Sequence, residues 1–165
     1  YYGDRFWPMI FGVATSFLYG KNPKTGATPS GRKQGATLAM SLQPSPAGPQ
    51  GCTTAVLSAA ASVDGLDFPG GISNVQECDP SLVAGDQGLA RLENLIRGFF
   101  LMGGVELSMN FLNEQMLREA QEDPDRYRYL MVRVFGMSAQ FVNLSPELQE
   151  GVIERVSAAS RRAGL

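Results

Sequence analysis

The run Val132-Arg133-Val134-Phe135-Gly136-Met137-Ser138-Ala139-Gln140-Phe141 sets one glycine between two apolar, strand-like segments. That pattern calls for two short strands meeting at Gly136 and for a second layer to cover their apolar side. The covering layer is written directly behind it. Ser145-Pro146-Glu147 reads as an N-cap, a proline at the first helical position and an acid in the first turn. Leu148, Val152, Ile153 and Val156 then supply one apolar stripe. Taken alone, a glycine in this position is a bulge or a turn.

The elements upstream are of the same mixed kind. Val105, Leu107, Met109 and Phe111 alternate with Glu106, Ser108 and Asn110, which predicts a strand over 105–112 with the apolar set buried. Asn113 caps a helix that runs to about Gln121, and Pro124 stops it. Leu89, Leu92, Leu95, Ile96, Phe99 and Phe100 recur at helical spacing and predict an amphipathic helix ended by Gly103-Gly104. A short strand is expected at Ile72–Glu77. A helix is expected over 53–63, capped by Thr53 or Thr54 and stopped by Asp64-Gly65. Residues 21–51 are punctuated by Pro and Gly and read as a long ordered loop or a linker. Residues 1–20 are apolar without a polar face and expect to be covered by other protein.

Composition removes most other chemistries. The chain has 165 residues, 44% hydrophobic and 18% charged, with a net charge of −2 and no basic cluster. That length suits one domain or one part of a larger one, and the charge argues against nucleic acid or an anionic membrane as partner. There is no histidine, so no Ser-His-Asp or Cys-His machinery and no imidazole-held metal. The two cysteines, Cys52 and Cys78, have no metal or redox spacing. They read as ordinary buried or partly buried thiols in a reducing, cytoplasmic setting. The apolar segment from Phe6 to Leu18 is too short to span a membrane. A chain that starts at Tyr1 predicts further sequence upstream or a cut.

Several motifs now fall into one order. Arg133-Val134-x-Gly136-x-Ser138-Ala139-x-Phe141, then Leu144-Ser145-Pro146-Glu147-x-Gln149-x-x-Val152-Ile153-x-Arg155, resembles the C-terminal signature of the glycyl radical enzymes. That family includes pyruvate formate-lyase, the glycerol and diol dehydratases, choline lyase, the arylacetate decarboxylases and the benzylsuccinate synthases. Gly103-Gly104, Asn110, Leu117-Arg118-x-Ala120 and Pro124-x-x-Tyr127 resemble the approach to its radical loop. Gly26-Ala27-Thr28-Pro29-Ser30-Gly31-Arg32-Lys33-x-Gly35 and Thr54-Ala55-Val56-Leu57 are similar to elements further upstream. Matches run in order over about residues 26–155.

The resemblance implies an α/β fold: the C-terminal part of a ten-stranded α/β barrel, with the glycine radical loop between two short strands packed by helices. Residues 1–35 would be the tail end of the barrel and residues 36–165 the glycine radical domain. It implies Gly136 as the catalytic position, a backbone radical made by a radical S-adenosylmethionine activase, and no bound cofactor or metal. Arg133, Val134, Phe135, Met137, Ser138 and Phe141 would support the radical loop, Arg133 through hydrogen bonds. The radical would pass to a cysteine on the upstream barrel part. There it would serve anaerobic C–C, C–O or C–N cleavage of a small molecule, in an enzyme that is a homodimer when whole.

Two departures stand out. Met137 occupies a position usually Tyr or Phe, and neither Cys52 nor Cys78 sits in a G-C-(V/I)-E-like thiyl loop. Ser138-Ala139 leans towards the dehydratase, decarboxylase and lyase branches. The preferred reading is therefore a radical-bearing fragment or subunit that is not active alone. The alternatives are a stand-alone spare part that repairs an oxygen-cleaved enzyme, and a small non-catalytic binding module in which Gly136 is only a turn.

Overall fold

The computed structural model describes residues 7–10, 26–34, 39, 41–44, 52–134 and 137–163. The expectations for Phe135 and Gly136, for the Met137 side chain and for most of residues 1–25 and 45–51 lie outside the described residues. The order is helix α1 (Thr53–Ala61), strand β1 (Val75–Cys78), helix α2 (Gly85–Leu101), strand β2 (Ser108–Phe111), helix α3 (Glu114–Glu122), strands β3 (Met131–Val134) and β4 (Met137–Gln140), and helix α4 (Pro146–Ala163). The fold is α/β, as expected.

β1 and β2 run parallel, with Glu77 opposite Asn110 and Cys78 opposite Phe111. Parallel neighbours need a long crossover, and α2 lies within it. β3 and β4 are antiparallel, with Arg133 opposite Ser138 and Val134 opposite Met137. Phe135 and Gly136 are the two residues between those strands in sequence. The Phe141 N–H donates to the Leu130 carbonyl at 2.9 Å and closes the open end of the pair.

Two cores form. The larger joins α3, β3 and α4 through Leu117, Val132, Val134, Val152 and Val156, with Phe141 just after β4. Ile153 is buried and Leu148 half-buried beside them, so the predicted stripe of α4 faces inward. The smaller core joins α1 to α2 through Leu57, Ala60, Ala61 and Phe99.

Local signals place the helix starts. Asn113 Oδ1 accepts from the Met116 N–H at 2.8 Å, and Ser145 Oγ accepts from the Leu148 N–H at 3.4 Å.

The amphipathic α2 is present as expected: Phe99 is buried, Leu92, Leu95 and Ile96 are half-buried, and Leu89 and Phe100 are exposed. Three expectations are corrected. α1 is capped by Cys52, not Thr53 or Thr54, and has no side-chain cap bond. Strand β1 starts at Val75; Ile72 instead forms an isolated bridge with Ile10. In β2 the faces are reversed, because Asn110 is buried while Met109 and Phe111 are only half-buried and Val105 is exposed.

Candidate radical-loop site

The site is built on the β3–β4 pair, and β3 turns one face to the core. Val132 and Val134 are 1% and 2% exposed, and Phe141 is fully covered. The other face carries Arg133 and Ser138, directly opposite one another. With Asn110 and Met131 they line a cleft of about 480 Å³. Ser138 is exposed there, and Arg133 half-buried. Gln149 of α4 donates from Nε2 to the Phe141 carbonyl at 3.1 Å, which ties the base of the hairpin to the last helix.

Arg133 is gripped by its backbone. Its N–H donates to Asn110 Oδ1 at 2.9 Å, and its carbonyl accepts from Asn110 Nδ2 at 3.2 Å. Both groups face away from β4, so β3 presents an open edge on that side. The Asn110 carboxamide satisfies the edge as a neighbouring strand would. The guanidinium Nε of Arg133 is buried without a hydrogen-bond partner among the described residues.

Behind Asn110 lies a buried ion pair. Nδ2 of Asn110 also reaches Glu77 Oε1 at 3.3 Å, and Arg155 Nη2 stands 3.2 Å from the same oxygen. The Glu77 and Arg155 side chains are 1% and 10% exposed. Burial pulls Arg155 below the ordinary guanidinium range, and the Glu77 charge opposes that pull. Sequence reasoning set Asn110 in the motif but did not find Glu77 or Arg155 as its support. Arg155 was visible only as the last residue of the α4 signature.

The remaining polar candidates are structural. Glu106 accepts from the Asn74 backbone N–H and, at 2.6 Å, from Ser108 Oγ, and so stitches the start of β2 to the approach to β1. Arg32 is buried and donates to the Gly26 and Lys33 carbonyls, anchoring its own loop. Glu119 accepts from the Tyr127 hydroxyl and from Gln115. Cys78 is buried as expected. Cys52 is exposed, contrary to expectation, because it stands at the open end of α1.

Comparison with known proteins agrees with this architecture. The glycine radical family profile matches residues 39–142, an interval that contains position 136. The trans-4-hydroxy-L-proline dehydratase of Clostridioides difficile is 37% identical over 130 residues, 79% of this chain and 16% of the dehydratase. The indoleacetate decarboxylase of Tractidigestivibacter scatoligenes is 37% identical over 156 residues, 94% of this chain and 17% of the decarboxylase. Among solved structures, the glycerol-bound B12-independent glycerol dehydratase of Clostridium butyricum superposes with a TM-score of 0.79 at 35% identity, covering 93% of this chain and 19% of the dehydratase. The chain belongs to the glycyl radical enzyme family, in the part that bears the glycine radical. It spans 16–17% of the length of those two curated relatives. No helix among the described residues is long and apolar enough to cross a membrane.

Proposed function

We propose that Gly136 is the glycine that stores the radical, and that this chain is the radical-bearing portion of a larger glycyl radical enzyme. The family match across position 136, on a hairpin whose flanks are held from both sides, carries this reading. Glycine suits the task physically. Loss of one α-hydrogen leaves a planar carbon between an amide nitrogen that donates electron density and a carbonyl that withdraws it. A side chain would oppose that planarity and block approach to the carbon.

The residues of this chain hold that carbon; they do not supply acid, base or metal. Val134 and Phe141 anchor the strand pair in the core, and Asn110 fixes the β3 edge. Residues 36–165 form the glycine radical domain and residues 1–35 the tail end of the barrel. A radical S-adenosylmethionine activase removes the α-hydrogen as an atom. The stored radical is then passed to a cysteine thiol on the upstream barrel part, which acts on a small-molecule substrate. The whole enzyme is a homodimer in the cytoplasm. Dehydration, decarboxylation or another lyase reaction is the class favoured, on the lean of Ser138-Ala139; the dehydratase and decarboxylase relatives that align along most of the chain accord with it.

The test is anaerobic activation followed by electron paramagnetic resonance. The expected signal is a doublet from the one remaining α-hydrogen, absent in Gly136→Ala. Admission of air should then cut the chain at Gly136 and release a piece of about 3 kDa, scaled from average residue mass. A doublet that survives in Gly136→Ala would overturn the assignment.

A further inference from the structure

The chain Arg155–Glu77–Asn110 joins α4, β1 and β2 to the backbone of Arg133, which lies three residues before Gly136. Each link constrains the next. A carboxamide has a donor end and an acceptor end; the Arg133 N–H and carbonyl select one order of them, and Glu77 reinforces it. The Glu77 carboxylate accepts only, so it draws Nδ2 of Asn110 towards itself. That leaves Oδ1 for the Arg133 N–H and the second Nδ2 proton for the Arg133 carbonyl. A buried carboxylate keeps its charge only beside a cation, and Arg155 stands 3.2 Å away.

We propose that Glu77 and Arg155 are positioning residues for the radical glycine: through the polarity of Asn110 they fix the rotation and register of β3, and with it the place of Gly136. This rests on the assignment of the radical to Gly136. None of the three residues touches the reacting atoms in this scheme. Their effect is on how fully and in what geometry the radical is held. The network reaches β3 from the side opposite β4, where the Asn110 side chain is the partner that the described residues give the Arg133 N–H and carbonyl.

The test uses the whole enzyme with Asn110→Asp, which removes the donor end, and Glu77→Gln, which keeps size but removes the directing charge. Glu154→Gln, an exposed change one residue before Arg155 in α4, is the control. Two readings are taken: hydrogen exchange at the Arg133 amide before activation, and the yield and splitting of the doublet after it. The expected result is Arg133 exchange at least tenfold faster in both variants, with a radical yield reduced severalfold or a changed splitting, and neither in the control. Faster exchange with an unchanged doublet would overturn the positioning role. Unchanged exchange in both variants would overturn the network itself. A missing doublet in the unsubstituted enzyme, with Arg133 still protected, would instead overturn the radical assignment.

Discussion

Phe141 shows how a single side chain holds the hairpin. Its ring is fully buried between the strand pair and α4. Its N–H and carbonyl are bound to Leu130 and Gln149. Phe141→Ala removes the ring and leaves the backbone bonds, so the loss is one of packing. A cost of about 3–5 kcal/mol is expected from such a truncation, a large share of the roughly 5–15 kcal/mol of a typical domain. Urea denaturation measures it. Tyr127 and Glu119 make a second residue-scale case. The Tyr127 hydroxyl donates to Glu119, which holds the carboxyl below its ordinary 4.5, with Gln115 and then Arg126 helping. A depressed carboxylate stabilises the fold above its unfolded value and loses that contribution as pH falls through the lower folded value. The same bond raises Tyr127 above 10.0, so its share is present below that value and is lost as pH rises through the raised one. Tyr127→Phe should therefore flatten the stability profile at both ends, below about pH 4.5 and above about pH 10, and leave its middle the least stable relative to the parent. Melting temperatures across that range decide it; a profile parallel to the parent's would count against the pair.

At the scale of elements, the end of α2 was written in the sequence. Gly103 has φ of +99°, and its N–H donates to the Phe100 carbonyl while the Gly104 N–H donates to the Phe99 carbonyl. This is a Schellman closure, which needs a left-handed residue at Gly103. A Cβ on Gly104 would come within 2.3 Å of the Phe99 ring, so that glycine is required by space. Gly103→Ala should cost about 1–2 kcal/mol through backbone strain, and Gly104→Ala about 1–3 kcal/mol through overpacking, both measurable by thermal unfolding. Helix starts at Asn113 and Ser145 were readable for the same reason: cap and partner lie three residues apart. Strand faces were not. Asn110 goes inside because partners 23 and 33 residues away in sequence receive it, and alternation of apolar and polar residues carries no record of them. The proposal of Gly136 rests on motif, and Glu77 had no motif to announce it.

At the scale of the whole molecule, the apolar face of α2 is only partly covered. The two cores are joined through the β1–β2 pair and the buried Glu77–Arg155 contact, and α2 leans on α1 along one narrow line. Leu89, Phe100, Leu101, Met102 and Val105 remain exposed, Leu101 at 87%. Phe100, Leu101, Met102 and Val105 gather at the C-terminal end of α2 as an apolar surface of the kind that meets other protein, and the chain spans 16–17% of the length of the dehydratase and decarboxylase relatives. Produced alone, the chain should therefore bind a hydrophobic dye and self-associate as concentration rises. Leu101→Glu removes apolar surface without touching either core, so stability should change by no more than about 0.5 kcal/mol. Sedimentation velocity should show the self-associated fraction falling in that variant, and falling further when Leu89→Glu is added. If association were unchanged while the melting temperature dropped, Leu101 would belong to the packing of α2, and the exposed face would not be the contact surface.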